Sequence, residues 1–164
     1  MVKTMIVVTV KDAFYGGLIY CAGDTIATLL SNTFYYPRML GMFILGATLY
    51  AIEIPAYFRW LNRYFDQPGY LSAFKRMLMA AAFFNPLWIA RHLVFISLFS
   101  GQWHSISLSL LSVASLSFLY CLPVALPVNF LIQNSIPLSW RFFTSSVFSA
   151  FMAIYFSMSE VLFG

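Results

Sequence analysis

Four ionisable side chains, Asp24, Glu53, Arg91 and His92, stand inside runs that are otherwise apolar: "LIYCAGDTIATLL" (18–30), "YAIEIPAYF" (50–58) and "WIARHLVF" (88–95). A lone charge at the centre of a bilayer costs at least about 2.5–3.5 kcal/mol, so such groups turn toward other helices or water and pair. Two acids and one permanent base make one buried ion pair, in which Arg91 bonds either Asp24 or Glu53. The carboxylate left over then needs a proton or a wet cavity. Two chemistries are open to these groups. Either Asp24 or Glu53 faces solute along a polar conduit, or Arg91 is glue that ties an earlier helix to the third. His92 points about 100° away from Arg91 around a helix. Its plainer role is an interhelical hydrogen bond rather than a proton relay.

The elements that position these groups are set by composition. The chain has 164 residues, 62% hydrophobic and only 9% charged, with a mean hydropathy of +0.84. A soluble domain carries about 25% charged residues, because water covers its whole surface. Lipid is therefore the solvent for most of this surface. A span needs about 20 apolar residues, and five windows qualify, at 13–31, 39–58, 77–99, 106–130 and 142–162. They are too long and too uniformly apolar for the alternating strands of a membrane barrel. The expectation is an all-α membrane protein, a single domain over 1–164 with four to five transmembrane helices, several kinked by proline. The first window, with Gly16, Gly17, Gly23 and Asp24, is the weakest span, so four spans plus one interfacial or protein-buried helix is the alternative. Pro86 stands inside the third window, and Pro123, Pro127 and Asn129 interrupt the end of the fourth. Each proline removes a backbone donor, and freed carbonyls at membrane depth need protein or water beside them. Lys11 and Asp12 break the short apolar stretch at the N-terminus and no small-residue cleavage site comes after them, so no cleavable presequence is expected.

Charge gives the orientation. If all five windows cross, one side holds Lys3, Lys11, Arg59, Arg63, Lys75, Arg76 and Arg141, and the other only Arg38. That bias places the first side in the cytoplasm or an equivalent compartment. Basic residues there meet lipid headgroups rather than nucleic acid. The clusters "TFYY" and "YFRWLNRYF" fall at window ends, where aromatic residues anchor at the interface.

Small polar residues form two stripes. In "HSISLSLLSVASLSF", Ser105, Ser109, Ser112 and Ser115 share a helical face; in the last window Ser145, Ser149, Ala153 and Ser157 recur every four residues. Such spacing lets helices approach closely, and the sharper reading is a hydrated, Ser-lined path through Ser109 and Ser112. No Gly-rich phosphate loop, metal-ligand spacing or nucleophile beside His92 or His104 is present, so neither an enzyme nor a metal or cofactor is expected. Cys21 and Cys121 read as isolated thiols in apolar windows.

"IPLSWR" at 136–141, with "IYFS" at 154–157 after it, resembles the C-terminal signature of the Mpv-seventeen / PMP-twenty-two family of small helical organelle membrane proteins. Pro137, Leu138, Arg141, Tyr155 and Ser157 carry that match. Gly23-Asp24 is similar to the Gly-Asp pair of the family's first helix, and Arg38 and Gly46 fall at its Arg and Gly positions. "YFRWLNRYF" resembles the stretch ending its second helix; Lys75 and Pro86 bracket the start of the third, and Pro127 matches a proline pair before the signature. The family's Gln after Gly-Asp falls on Thr28, its second-helix Gly-Pro and His on Ala51, Ile52 and Pro55, and its Asp-Gln pair on Ala80 and Ala81. The resemblance implies the mitochondrial inner membrane first and the peroxisomal membrane second, with Asp24 as the pore residue of a small-solute channel or permeability factor. The missing polar positions favour the alternative, a non-catalytic structural or accessory subunit of a larger membrane complex such as a respiratory-chain assembly. Membrane lipids, other membrane-protein subunits or further copies of the chain are the expected partners, and nucleic acid is not.

Overall fold

The structure is a computed structural model that describes residues 9–163, apart from the side chains of Ala153 and of residues 156–163. Lys3 and the Ala153 and Ser157 side chains lie outside the described set.

Helix α1 (Val10–Leu30) starts where Thr9 and Asp12 form a capping box: the Thr9 hydroxyl accepts from the Asp12 N–H at 3.1 Å, and the Thr9 N–H donates to the Asp12 carboxylate at 3.3 Å. Helix α2 (Tyr36–Leu45) has Pro37 in its first turn, where a missing N–H costs nothing. It runs through a π-helical turn, Gly46–Tyr50, into α3 (Ala51–Tyr64). One extra residue per π turn rotates the rest of the helix by roughly 100°. Tyr50, Ala51, Ile54 and Phe58 thereby face the core, and Glu53 sits at its edge.

The third window is not one uninterrupted helix. Helix α4 (Tyr70–Phe83) stops, and α5 (Pro86–Phe99) restarts with Asn85 as its cap, accepting from the Trp88 N–H at 3.0 Å. Pro86 suits a first helical position, where its missing N–H would have had no intrahelical acceptor. In the fourth window the prolines do less than expected: α6 (Ser109–Ser135) continues through both Pro123 and Pro127. Each deprives one carbonyl of its donor, which a helix of 27 residues absorbs. Helix α7 spans Leu138–Phe163. Most helices begin or end beyond the apolar windows, because their polar end turns lie at the interface, where hydropathy falls.

The protein is an all-α membrane protein. Four stretches among the described residues are long and apolar enough to cross a bilayer: Val10–Leu30, Tyr36–Tyr64, Tyr70–Phe99 and Ser109–Ser135. Helix α7, at 26 residues, covers the fifth window. Helix α1 packs chiefly on α7 and on the α2–π segment, while α6 packs on α4, α5 and α7. The core holds Tyr20, Met42, Tyr50, Ile54, Phe58, Leu61, Ile89 and Leu93. Outward, Leu18, Ile26, Leu29, Ile44, Leu119 and Leu131 are exposed, as helices bathed in lipid require.

Two crossings depend on glycine. A Cβ built on Gly46 would lie 2.5 Å from the Gly16 carbonyl oxygen, and one on Gly16 would lie 2.6 Å from that of Gly46. A Cβ on Gly23 would meet Ala150 at 2.9 Å, so α7 packs tightly against the glycine that precedes Asp24.

Apart from Arg38 and Arg91, the described basic residues gather at one end. Arg141 donates to the Ile136 carbonyl at 2.9 Å and to Asn62 at 3.0 Å, tying the start of α7 to the end of α3. Arg76 donates to the Phe65 carbonyl and, at 2.9 Å, to Asn134 near the end of α6. Pro137 precedes α7 and its carbonyl accepts from the Trp140 N–H at 2.9 Å.

Candidate functional site

Asp24 lies six residues before the end of α1, and Arg38 is the third residue of α2. The turn between them folds the guanidinium back onto the carboxylate. Arg38 Nε donates to Asp24 Oδ2 at 2.9 Å and to Oδ1 at 3.1 Å, and Nη2 reaches Oδ1 at 2.5 Å. The Asp24 side chain is 1% exposed and that of Arg38 10%. This forked, buried geometry is the strong form of a charge-assisted bond. It corrects the expectation that Arg91 is the only base at depth. Arg38 stands just outside the apolar window 39–58, which gives it the look of a loop residue; Pro37, a helix-opening signal, is the available clue.

Arg91 pairs with Glu53: Nη2 to Oε2 is 2.7 Å. No carboxylate is therefore left over among the four groups. The second pair differs from the first in exposure, at 36% for Arg91 and 28% for Glu53. The Arg91 guanidinium also sits 5.7 Å from the Trp88 ring centre, and its Nε is buried without an acceptor. The pair lies in a groove of about 450 Å³ bounded by Tyr57 from α3, Met79 and Phe83 from α4, and Trp88 from α5.

His92 faces the interior, at 2% exposure, and its Nδ1 lies 2.8 Å from the Tyr50 hydroxyl. Tyr50 contacts the Tyr20 ring at 4.7 Å, and Trp88 stacks on His92 at 5.7 Å with planes 8° apart. The interhelical hydrogen-bonding role thus fits His92. Tyr50→Phe keeps the ring and removes the bond, so it is expected to lower stability by about 1–3 kcal/mol, read by thermal unfolding in detergent.

Beside this cluster is a chamber of about 40 Å³, walled by Tyr20, Trp88, His92, Cys121, Asn129 and Ser149 among others. A water needs about 10–15 Å³ of such space, so the chamber has room for roughly two to four. Asn129 donates to the Ala125 carbonyl at 2.9 Å, and Gln133, on the same α6 face, is fully buried with neither amide atom bonded. Tyr20, Tyr50 and Gln133 carry no signal in the sequence, because Tyr is common in apolar runs and Gln133 lies beyond the fourth window.

Ser109 and Ser112 differ from the expected pore lining. Ser109 is exposed at the start of α6 and Ser112 is exposed on its outer face, so the Ser-lined path through them does not run inside the bundle. Ser105 belongs to a separate short turn, Trp103–Ser105, and Ser115 bonds the Leu111 carbonyl at 2.7 Å. The inner face of α6 is Leu110, Val113, Ala114, Ser117 and Cys121. Periodicity marks a stripe without saying which way it faces. On α7, Ser145 is buried at 1% exposure, as close packing requires. Cys21 and Cys121 are free thiols on different helices.

Compared with protein families, curated proteins and solved structures, the chain matches none. What the structure defines is the class: a helical membrane protein with, among the described residues, two ion pairs within its spans, one closed and one open to the outer surface.

Proposed function

We propose that this chain is a non-catalytic accessory subunit of a larger membrane assembly, held there by the face that α3, α4 and α5 present. The observation that carries this is the Glu53–Arg91 pair, which is about one-third exposed. Arg91 is eight residues short of the end of α5 and Glu53 eleven short of the end of α3, about 12 and 16 Å along their axes. At that depth lipid tails offer no acceptor, and charged groups turn toward protein or water. A neighbouring helix with a carbonyl, hydroxyl or carboxylate would satisfy the donors that Glu53 leaves over. The exposed serines of α6 suit close contact with protein in the same way. The resemblance to the Mpv-seventeen family supports an organelle, the mitochondrial inner membrane first. Extracted from its own membrane in mild detergent, the protein is expected to migrate with a body many times its 18.7 kDa. Glu53→Leu combined with Arg91→Leu is expected to release it while leaving it folded. A wild-type protein that runs as a monomer or small oligomer overturns this reading.

A second reading, a small-solute channel or permeability factor, draws on the chamber beside Tyr20 and His92. It predicts that bilayer conductance changes on substituting a chamber residue such as Asn129→Leu. Asp24, closed by Arg38, is a weaker site for that test.

A further inference from the structure

A different surface carries an inference of its own. Two clefts flank the first turn of α7 at the basic end, sharing Ser139 and Phe142 as their common wall. One, of about 310 Å³, lies toward α3 and includes Phe58, Arg59 and Leu138. The other, of about 560 Å³, lies toward α1 and includes Lys11, Tyr15, Trp140 and Phe143. Both volumes fall within the range of about 300–1,000 Å³ usual for small-molecule sites.

Each cleft pairs a cation with apolar walls. Arg59 has a guanidinium nitrogen, Nη2, that is shielded from solvent and has no acceptor. Lys11 is exposed, and its ammonium lies 5.8 Å from the Tyr15 ring centre and 5.7 Å from that of Trp140, held over aromatic faces rather than in an ion pair. Asp12 also lines the second cleft, but its carboxylate is engaged at the α1 cap, 2.6 Å from the Thr9 hydroxyl. Ser139, on the wall the two clefts share, belongs to the N-terminal turn of α7. The first N–H groups of a helix have no intrahelical acceptor, and of those in this turn the Trp140 N–H is taken by the Pro137 carbonyl. A helix of 26 residues directs the positive end of its dipole here.

We propose that this junction binds the phosphodiester headgroup of an anionic phospholipid, with Arg59 and Lys11 on either side of the phosphate and the acyl chains along the exposed Leu138, Trp140 and Phe143. The level fits: Trp60 and Tyr64 on α3 and Trp140 on α7 are exposed around it, as aromatic residues are at the membrane interface. The side fits too, since it is the basic side, where anionic lipids are recognised by juxtamembrane cations. A free anion would use the cations and leave the apolar walls bare, so a lipid accounts for the whole surface.

The test uses the full chain in neutral detergent, titrated with phosphatidylglycerol, phosphatidylcholine or inorganic phosphate while thermal unfolding is monitored. Phosphatidylglycerol is expected to raise Tm saturably, and the other two are not. Lys11→Gln and Arg59→Gln are each expected to weaken the apparent affinity about fivefold. Arg63→Gln and Lys75→Gln, exposed on the same basic end but outside both clefts, serve as controls and are expected to change it by less than about twofold. Equal effects of all four substitutions, or equal shifts from both lipids, overturn the proposal in favour of diffuse attraction or general solvation. A shift reproduced by inorganic phosphate alone overturns the lipid assignment. If Arg59→Gln does not fold, Lys11→Gln, at an exposed position, carries the comparison.

Discussion

Arg38→Gln is expected to lower the unfolding free energy by about 3–5 kcal/mol, because it strands a buried carboxylate. Asp24 is 1% exposed, and the bonds from Arg38 Nε and Nη2 to its two oxygens are what hold the charge there. The measurement is denaturant unfolding in detergent, monitored by helical circular dichroism. Asp24→Asn is expected to cost less, since a cation near a helix end reaches water more easily than a carboxylate further inside. The double variant Asp24→Asn/Arg38→Gln is expected to recover part of the Arg38→Gln loss, because no charge is left unpaired. If the two losses simply add, the pair is not coupled and the closed-site reading of Asp24 is wrong. The same cycle on Glu53 and Arg91 is expected to give a smaller coupling in the isolated chain, because that pair is about one-third exposed.

Gly46→Val is expected to cost about 3 kcal/mol, the upper end for overpacked sites. Its Cβ would fall 2.5 Å from the Gly16 carbonyl oxygen and 3.0 Å from the Tyr20 Cβ, and backbone cannot swing aside as a side-chain tip can. Helix α1 must then move away from the π turn, which disturbs Tyr20, its contact with Tyr50 and, through it, the bond to His92. Gly46→Ala brings the same Cβ and is expected to lose most of that stability; Gly69→Ala has open space, and only its left-handed φ of 123° makes it costly. Gly16→Ala combined with Gly46→Ala is expected to be less than additive, since one separation of α1 relieves both clashes. The readout is thermal unfolding, with additivity as the discriminating result.

The chain's own residues settled the medium and the helices. With 9% charged residues, no arrangement of 164 residues covers a globule with polar groups, and five long apolar windows leave helices as the way to satisfy every backbone group in lipid. Asp24 was legible as a group needing a partner. The identity of the partner was not legible. Arg91 stands inside an apolar window and Arg38 just outside one, yet the fold of the 31–35 turn brings Arg38, rather than Arg91, onto Asp24. Direction around a helix was equally hidden. Ser112 and Ser117 stand five residues apart on α6; one is exposed and the other fully buried, because α4, α5 and α7 choose which face they cover. Composition and periodicity are local properties that each segment carries alone. Which charge meets which, and which stripe meets lipid, depends on how the segments pack, and that is decided only when all of them bury their surfaces together.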